Sequence, residues 1–140
     1  MTKSRTVSTA EYQGLLEVRT GLRRFLHWSE ERAREAGLTP AQHQLLLAIR
    51  GHPEPGVPTI GDLADHLLLQ HHSAVQLVDR AEAAGLLVRS RDPDDHRRVH
   101  VRLTEEGNRI LESLSAQHLE ERHRVGLSLG EISVRSLGHR

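Results

Sequence analysis

One stretch limits the fold of this chain more than any other: residues 70–104, QHHSAVQLVDRAEAAGLLVRSRDPDDHRRVHVRLT. Ala74, Leu77, Val78 and Ala81 recur three and four apart among polar His71, His72, Ser73, Gln76 and Arg80, which predicts an amphipathic helix. Gly85 supplies a left-handed stop, because a residue without Cβ takes that conformation at little cost. Two short runs follow, residues 86–91 and 98–103, around Asp92-Pro93-Asp94-Asp95-His96-Arg97. In the second run Val99, Val101 and Leu103 alternate with Arg98, His100 and Arg102, the period of a half-buried strand. The stretch therefore predicts a helix and then a β-hairpin with a charged tip. Such a unit suits a helix that enters a groove with a wing beside it.

The flanking segments read as support. Residues 1–9 are polar and expected to be unordered. Over residues 10–36, Leu15, Val18, Leu22, Phe25 and Leu26 form one apolar stripe, and Gly37 closes that long helix. Thr39-Pro40-Ala41-Gln42 is a capping signature for a second helix with Leu45, Leu46, Ala48 and Ile49 on its buried face. The loop Gly51-His52-Pro53-Glu54-Pro55-Gly56 ends it. Thr59, with Asp62 three residues on, opens a third helix that buries Ile60, Leu63, Ala64 and Leu67. Leu68, Leu69 and Gln70 make a short turn into the amphipathic helix. Two short helices, a tight turn and a wing make a winged helix-turn-helix.

After the wing, Thr104-Glu105-Glu106-Gly107 starts a further helix, whose stripe is Ile110, Leu111, Leu114, His118 and Leu119. Ser128-Leu129-Gly130-Glu131 is a capping box for a final short helix carrying Ile132 and Leu137. The expected class is mainly α with a small β-hairpin wing. The expected division is an N-terminal arm and dimerisation helix (1–36), a winged lobe (37–104) and C-terminal dimerisation helices (105–140), all in one compact unit. The outer helices have no sheet to cover, so their apolar faces most simply meet a second copy.

Composition bears on function mainly by exclusion. The 140 residues include no cysteine, which removes disulfides, thiol redox chemistry and cysteine-bearing zinc sites. No apolar run approaches membrane-spanning length and the N-terminus has no signal-peptide core, so a soluble cytoplasmic protein is expected. Net charge is zero, yet Arg89, Arg91, Arg97, Arg98 and Arg102 gather on the hairpin while Glu105, Glu106, Glu112, Glu120 and Glu121 follow it. Lys3 is the sole lysine, so nearly every cation is a planar guanidinium fork. No GxSxG, P-loop or paired carboxylates suggest catalysis, and no cofactor is expected.

The order of elements resembles the MarR (multiple antibiotic resistance regulator) family of bacterial transcription factors. Three motifs carry the resemblance in one register: Leu77-Val78-Asp79-Arg80 leading to Gly85-Leu86, then Asp92-Pro93-Asp94-Asp95-His96-Arg97, then Leu103-Thr104-Glu105-Glu106-Gly107. The resemblance implies a homodimer on a palindromic double-stranded operator, commonly a repressor released by a small aromatic or phenolic effector. It places Gln70, His71, His72, Ser73, Gln76 and Arg80 on the recognition helix. Gln76 would bond adenine, Ser73 would donate to phosphate or base, and His71 and His72 would donate to phosphate. Asp95 and Arg97 match the wing's Asp-x-Arg pattern, with Arg97 entering the minor groove and Asp95 orienting it; Arg98 stands beside them. Asp79 is expected to pair with Arg80 structurally. Leu68 and Gln70 depart from the glycine and the serine or threonine frequent at these positions, and His96 departs from a basic wing residue.

Phe25, His27, Trp28 and His43 are the candidate lining of an effector pocket, although aromatic side chains on a helix more often simply fill a core or seam. Two other readings compete. The eleven histidines, with Glu120 and His123 three apart on one side of a helix and His118 nearby, raise a zinc-responsive regulator, but no HExxH is present and no metal ligands are assigned. A winged-helix interaction module that never touches DNA is the other, and the arginine-rich wing argues against it.

Overall fold

The computed structural model describes residues 4–124, which form five helices and one two-stranded antiparallel hairpin. The order is α1 (Thr9–Glu35), α2 (Pro40–Arg50), α3 (Ile60–Leu67), α4 (His71–Ala83), β1 (Leu87–Arg91), β2 (Val99–Leu103) and α5 (Glu105–Arg124). The box proposed at Ser128–Glu131 and the helix after it lie outside the described residues.

Local chemistry sets the helix ends. Thr39 Oγ1 accepts from the Gln42 amide while Gln42 Oε1 accepts from the Thr39 amide, each at 3.1 Å. Thr59 and Asp62 repeat that reciprocal cap at the start of α3. A third capping box, Ser8 with Glu11, starts α1, and Arg5 pairs with Glu11 at 2.6 Å. Over the described part, residues 4–9, this corrects the expectation of an unordered N-terminus, and residues 1–3 lie outside the described residues: Ser8-x-x-Glu11 is a capping signature in the sequence. Gly37 and Gly85 sit at φ +85° and +77°, and each is followed by an amide that returns to the helix, Leu38 to Ala33 O and Leu86 to Ala81 O. At the end of α3 the same left-handed turn falls on Leu68, φ +54°, and Leu69 N–H closes it on Ala64 O. A leucine there strains the backbone and is 93% exposed.

The core joins α2, α3, α4, the hairpin and the first half of α5. Leu45, Leu46, Leu63, Val78, Leu87, Val101 and Leu114 are its largest fully buried side chains. Each such side chain contributes roughly 1.5–3 kcal/mol relative to exposure. β1 and β2 pair Leu87 with Leu103 and Arg91 with Val99. Residues 58 and 59 extend the hairpin on its other side, because Val101 N–H donates to Pro58 O and Thr59 bridges to His100. Gly107 brings α5 against the start of β1; a Cβ there would meet the Leu86 carbonyl.

The α1 stripe is only partly used. Ala33 is its one buried residue, and Phe25 and Trp28 are half-buried. Tyr12, Leu15 and Leu16 are about three-fifths exposed, and Leu26 is exposed too. On α5, Leu111 and Leu114 enter the core but Leu119 faces solvent, against its expected place in the buried stripe. Helical spacing marks a face; it does not say how far along the helix a neighbour extends.

Candidate nucleic-acid interface

α4 divides cleanly. Ala74, Val78 and Ala81 are buried, which turns Gln70, His71, His72, Gln76 and Arg80 to solvent with Ser73 half-buried at the edge. His72, Gln76 and Arg80 follow one another at four-residue spacing and so share one stripe. Gln70 occupies the N-cap without a side-chain cap bond. The first-turn amides thus keep donors for an incoming acceptor, and the helix dipole favours an anion at that end.

The wing tip is built by two aspartates. Asp92 Oδ1 accepts from the amides of Asp94 (2.8 Å) and Asp95 (3.4 Å), which folds the chain back on itself. Asp95 Oδ1 then accepts from the Arg97 amide at 3.1 Å and lies 3.5 Å from its Nε. Main-chain bonds between Asp92 and Arg98 and between Arg98 and Asp95 close the turn. The Arg97 side chain remains 94% exposed, so its orientation is guided at the base while the guanidinium stays available. Arg98 is exposed and lowers the pKa of Asp62 through space, although the backbone bond from Thr59 is the larger cause.

Arg89 fixes the wing to the recognition helix. Its guanidinium reaches Asp79 at 2.5 Å and Glu82 at 3.0 Å, and its amide also donates to Glu82. The expected Asp79–Arg80 pair is therefore replaced by Asp79–Arg89, because Arg80 lies on the solvent face beyond it. Bonding to Arg89 holds the Glu82 carboxyl below its ordinary range, and Glu82 in turn raises Arg89. Of the hairpin arginines, this one is committed to structure.

A second cluster forms where α1, α2 and α5 meet. Trp28 and His118 stack edge-on at 4.8 Å, Phe25 meets His118 at 5.9 Å, and His43 lies 4.9 Å from the same ring. His118 Nδ1 donates to Leu114 O at 2.7 Å, leaving Nε2 to accept from Ser29 Oγ at 2.6 Å in the neutral ring. Burial, and secondarily His118, pushes the pKa of His43 down to about 4. Phe25, Trp28 and His43 are thus brought together, whereas His27 points away, 73% exposed and 3.1 Å from Glu31. His118 joins them from 89 residues away, a neighbour no local pattern announces. Arg32 lies over Trp28 at 5.9 Å, with its Nε buried and unpartnered. Among the described residues, no three His, Asp or Glu side chains are grouped to hold a metal ion, and no helix is long and apolar enough to cross a membrane.

Residues 36–98 match the family model described as MarR family. That stretch, spanning α2 to the wing, is similar to the MarR family. Among curated relatives, the HTH-type transcriptional regulator FarR of Neisseria gonorrhoeae is 33% identical over 89 residues, 64% of this chain and 58% of that protein. The transcriptional activatory protein BadR of Rhodopseudomonas palustris is 30% identical over 115 residues, 81% of this chain and 65% of that protein. The chain thus spans less than two thirds of the length of these relatives. The fold of the MarR regulator AbsC from Streptomyces coelicolor superposes with a TM-score of 0.78 at 20% identity, covering 96% of this chain and 94% of that one. CouR from Rhodococcus jostii, solved with p-coumaroyl-CoA, gives 0.72 at 23% identity over 94% and 91%. A MepR variant from S. aureus, solved with an oligodeoxyribonucleotide, gives 0.61 at 20% over 94% and 93%. These structural likenesses concern the MarR fold and leave the roles of individual side chains to geometry.

Proposed function

We propose that the chain is a sequence-specific DNA-binding transcriptional regulator: a homodimer on a palindromic operator, acting as a repressor that a small aromatic or phenolic ligand releases. The carrying observation is the joint presentation of two surfaces, the polar stripe of α4 and the braced, exposed Arg97, on one rigid lobe. α4 has the length and polarity to lie in a major groove while the wing reaches the adjacent minor groove. A narrow A·T-rich minor groove concentrates negative potential, which favours a guanidinium. The MarR relatives named as regulators, and MepR solved on an oligonucleotide, support the same reading.

Fluorescence anisotropy with duplexes from the chain's own promoter tests it. Binding that weakens steeply with salt and depends on sequence is expected, since each neutralised phosphate releases counterion. Arg97→Ala weakens binding to all duplexes, whereas Gln76→Ala mainly changes base preference. Wild-type behaviour in both variants would reject the docking. A reporter fused to the promoter decides the sign of regulation.

For the effector, the ring cluster of Phe25, Trp28, His43 and His118 lies between α1 and the lobe, where a ligand bound to one dimer spacing would shift it. CouR carries an aromatic acyl group. Trp28 is the sole indole, so its quenching by a panel of phenolic acids reads occupancy directly. A flat response across the panel removes the effector from the proposal.

A further inference from the structure

His100 is tied at both ring nitrogens to groups that can only accept. Its Nδ1 lies 3.0 Å from the Val57 carbonyl oxygen and its Nε2 lies 3.0 Å from Asp92 Oδ2. A neutral imidazole carries one N–H and would leave one of these contacts without a proton. Both bonds form together only in the imidazolium. Asp92 is the residue whose other oxygen folds the wing tip by accepting from Asp94 and Asp95, and Asp95 in turn steadies Arg97. Val57 stands on the opposite side, in the strip whose next residues pair with β2 and cap α3. His100 is therefore the one described side chain that bonds both the tip of the wing and the loop before α3.

We propose that His100 is a positioning residue, a proton-dependent clasp that as imidazolium holds the wing tip in the orientation from which Arg97 meets DNA. The inference rests on the DNA-binding reading for its consequence, though not for the clasp itself. Two charges act on the ring. The Asp92 carboxylate favours the proton, and Arg98 opposes it. Across the strip, Asp62 caps Thr59 and lies 3.8 Å from His52, which is bonded to His66. The hydrogen bond to Asp92, then that to Val57, raises the pKa of His100 above the ordinary histidine value, with burial working against them.

The sign follows from that direction. The clasp is fully formed below the ordinary value of about 6.5 and opens as pH rises through the higher folded value. DNA affinity falls with alkalinity, by about tenfold once the clasped form becomes the minor one. Other histidines, His71 and His72, lie on α4 itself, so the measurement is made against variants of His100.

The test joins two readouts on the full chain. In the free protein, NMR follows the His100 ring nitrogens together with the amides of Asp94 and Asp95. Expected are protons on both nitrogens at pH 6, a midpoint above that of a free histidine, and amide shifts with the same midpoint. A ring carrying one proton at pH 6, or amides indifferent to its titration, overturns the clasp. In parallel, anisotropy from pH 6 to 9 at fixed ionic strength compares wild type, His100→Gln and His100→Arg. Wild type should lose affinity more steeply than either variant, and the permanently charged arginine should retain tighter binding at pH 9 than glutamine. Equal slopes in all three reject the positioning role. Coupled amide shifts with no duplex bound at any pH support the clasp and reject the DNA-binding reading instead.

Discussion

In the winged lobe, Leu45, Leu46, Leu63, Val78 and Val101 are 1% exposed or less, whereas Tyr12, Leu15 and Leu16 on the first turns of α1 are each about 61% exposed. Both regions are helical and both carry leucines at helical spacing. The lobe closes because four helices and a hairpin surround one volume. The start of α1 runs beyond that volume, and among the described residues none covers Tyr12, Leu15 and Leu16. A helix of this kind gains little from its own hydrogen bonds and most from an apolar neighbour. The contrast separates a part that specifies itself from a part whose exposed stripe the proposed homodimer would cover.

Four measurements sharpen that contrast. Leu46→Ala, in the closed region, should lower unfolding free energy by about 3 kcal/mol, read from the shift of the urea midpoint. Leu15→Glu with Leu16→Glu should leave that midpoint nearly unchanged in the monomer and weaken self-association by on the order of 100-fold, read by sedimentation equilibrium. Unchanged association would place the second copy elsewhere or remove it.

The third concerns His43, at the boundary between the regions. Its folded pKa of about 4 lies below its unfolded value, so the unfolded chain binds the proton first as pH falls. Stability contributed by the neutral ring is lost from about pH 6.5 downward, with a slope of at most about 1.4 kcal/mol per pH unit. His43→Gln should flatten that slope. This acid sensitivity is opposite in sign to the alkaline sensitivity of the wing, so the two histidines can be told apart by direction alone. The smallest effect is a gain: Leu68→Gly should stabilise the lobe by about 0.5–1 kcal/mol, because φ +54° costs a leucine and not a glycine. No gain in the midpoint would mean that the turn relaxes in solution.

Elements with a local cause were legible in the sequence. Thr39 with Gln42, Thr59 with Asp62, and Gly37 and Gly85 announce their helix ends, and the alternation after Arg98 announces β2. Ser8 with Glu11 is the same local signature, set among polar neighbours that carry no apolar stripe. The candidate interface was legible wherever a buried face defined an exposed one, as on α4. Other features needed the fold. Arg89 counts as one more wing cation until Asp79 and Glu82 are seen beside it. His100 is only the polar half of a strand alternation until the Val57 carbonyl and Asp92 appear on its two sides. His118 reaches Trp28 because α5 returns along α1, a relation between segments that periodicity within either cannot contain.

The close approach at Gly107 has a mechanical consequence. A Cβ added there would lie 2.1 Å from the Leu86 carbonyl oxygen, so α5 rests directly on the main chain that opens β1. Thr104 tightens the joint, donating to Gly85 O at 2.7 Å while accepting from the Gly107 amide at 3.0 Å. With its root seated this firmly, a 20-residue helix is a lever of about 30 Å. A tilt of some 5° moves its far end by roughly 3 Å. Whatever displaces α5 near His118 therefore bears on the first residues of the wing strand without any intervening flexible link.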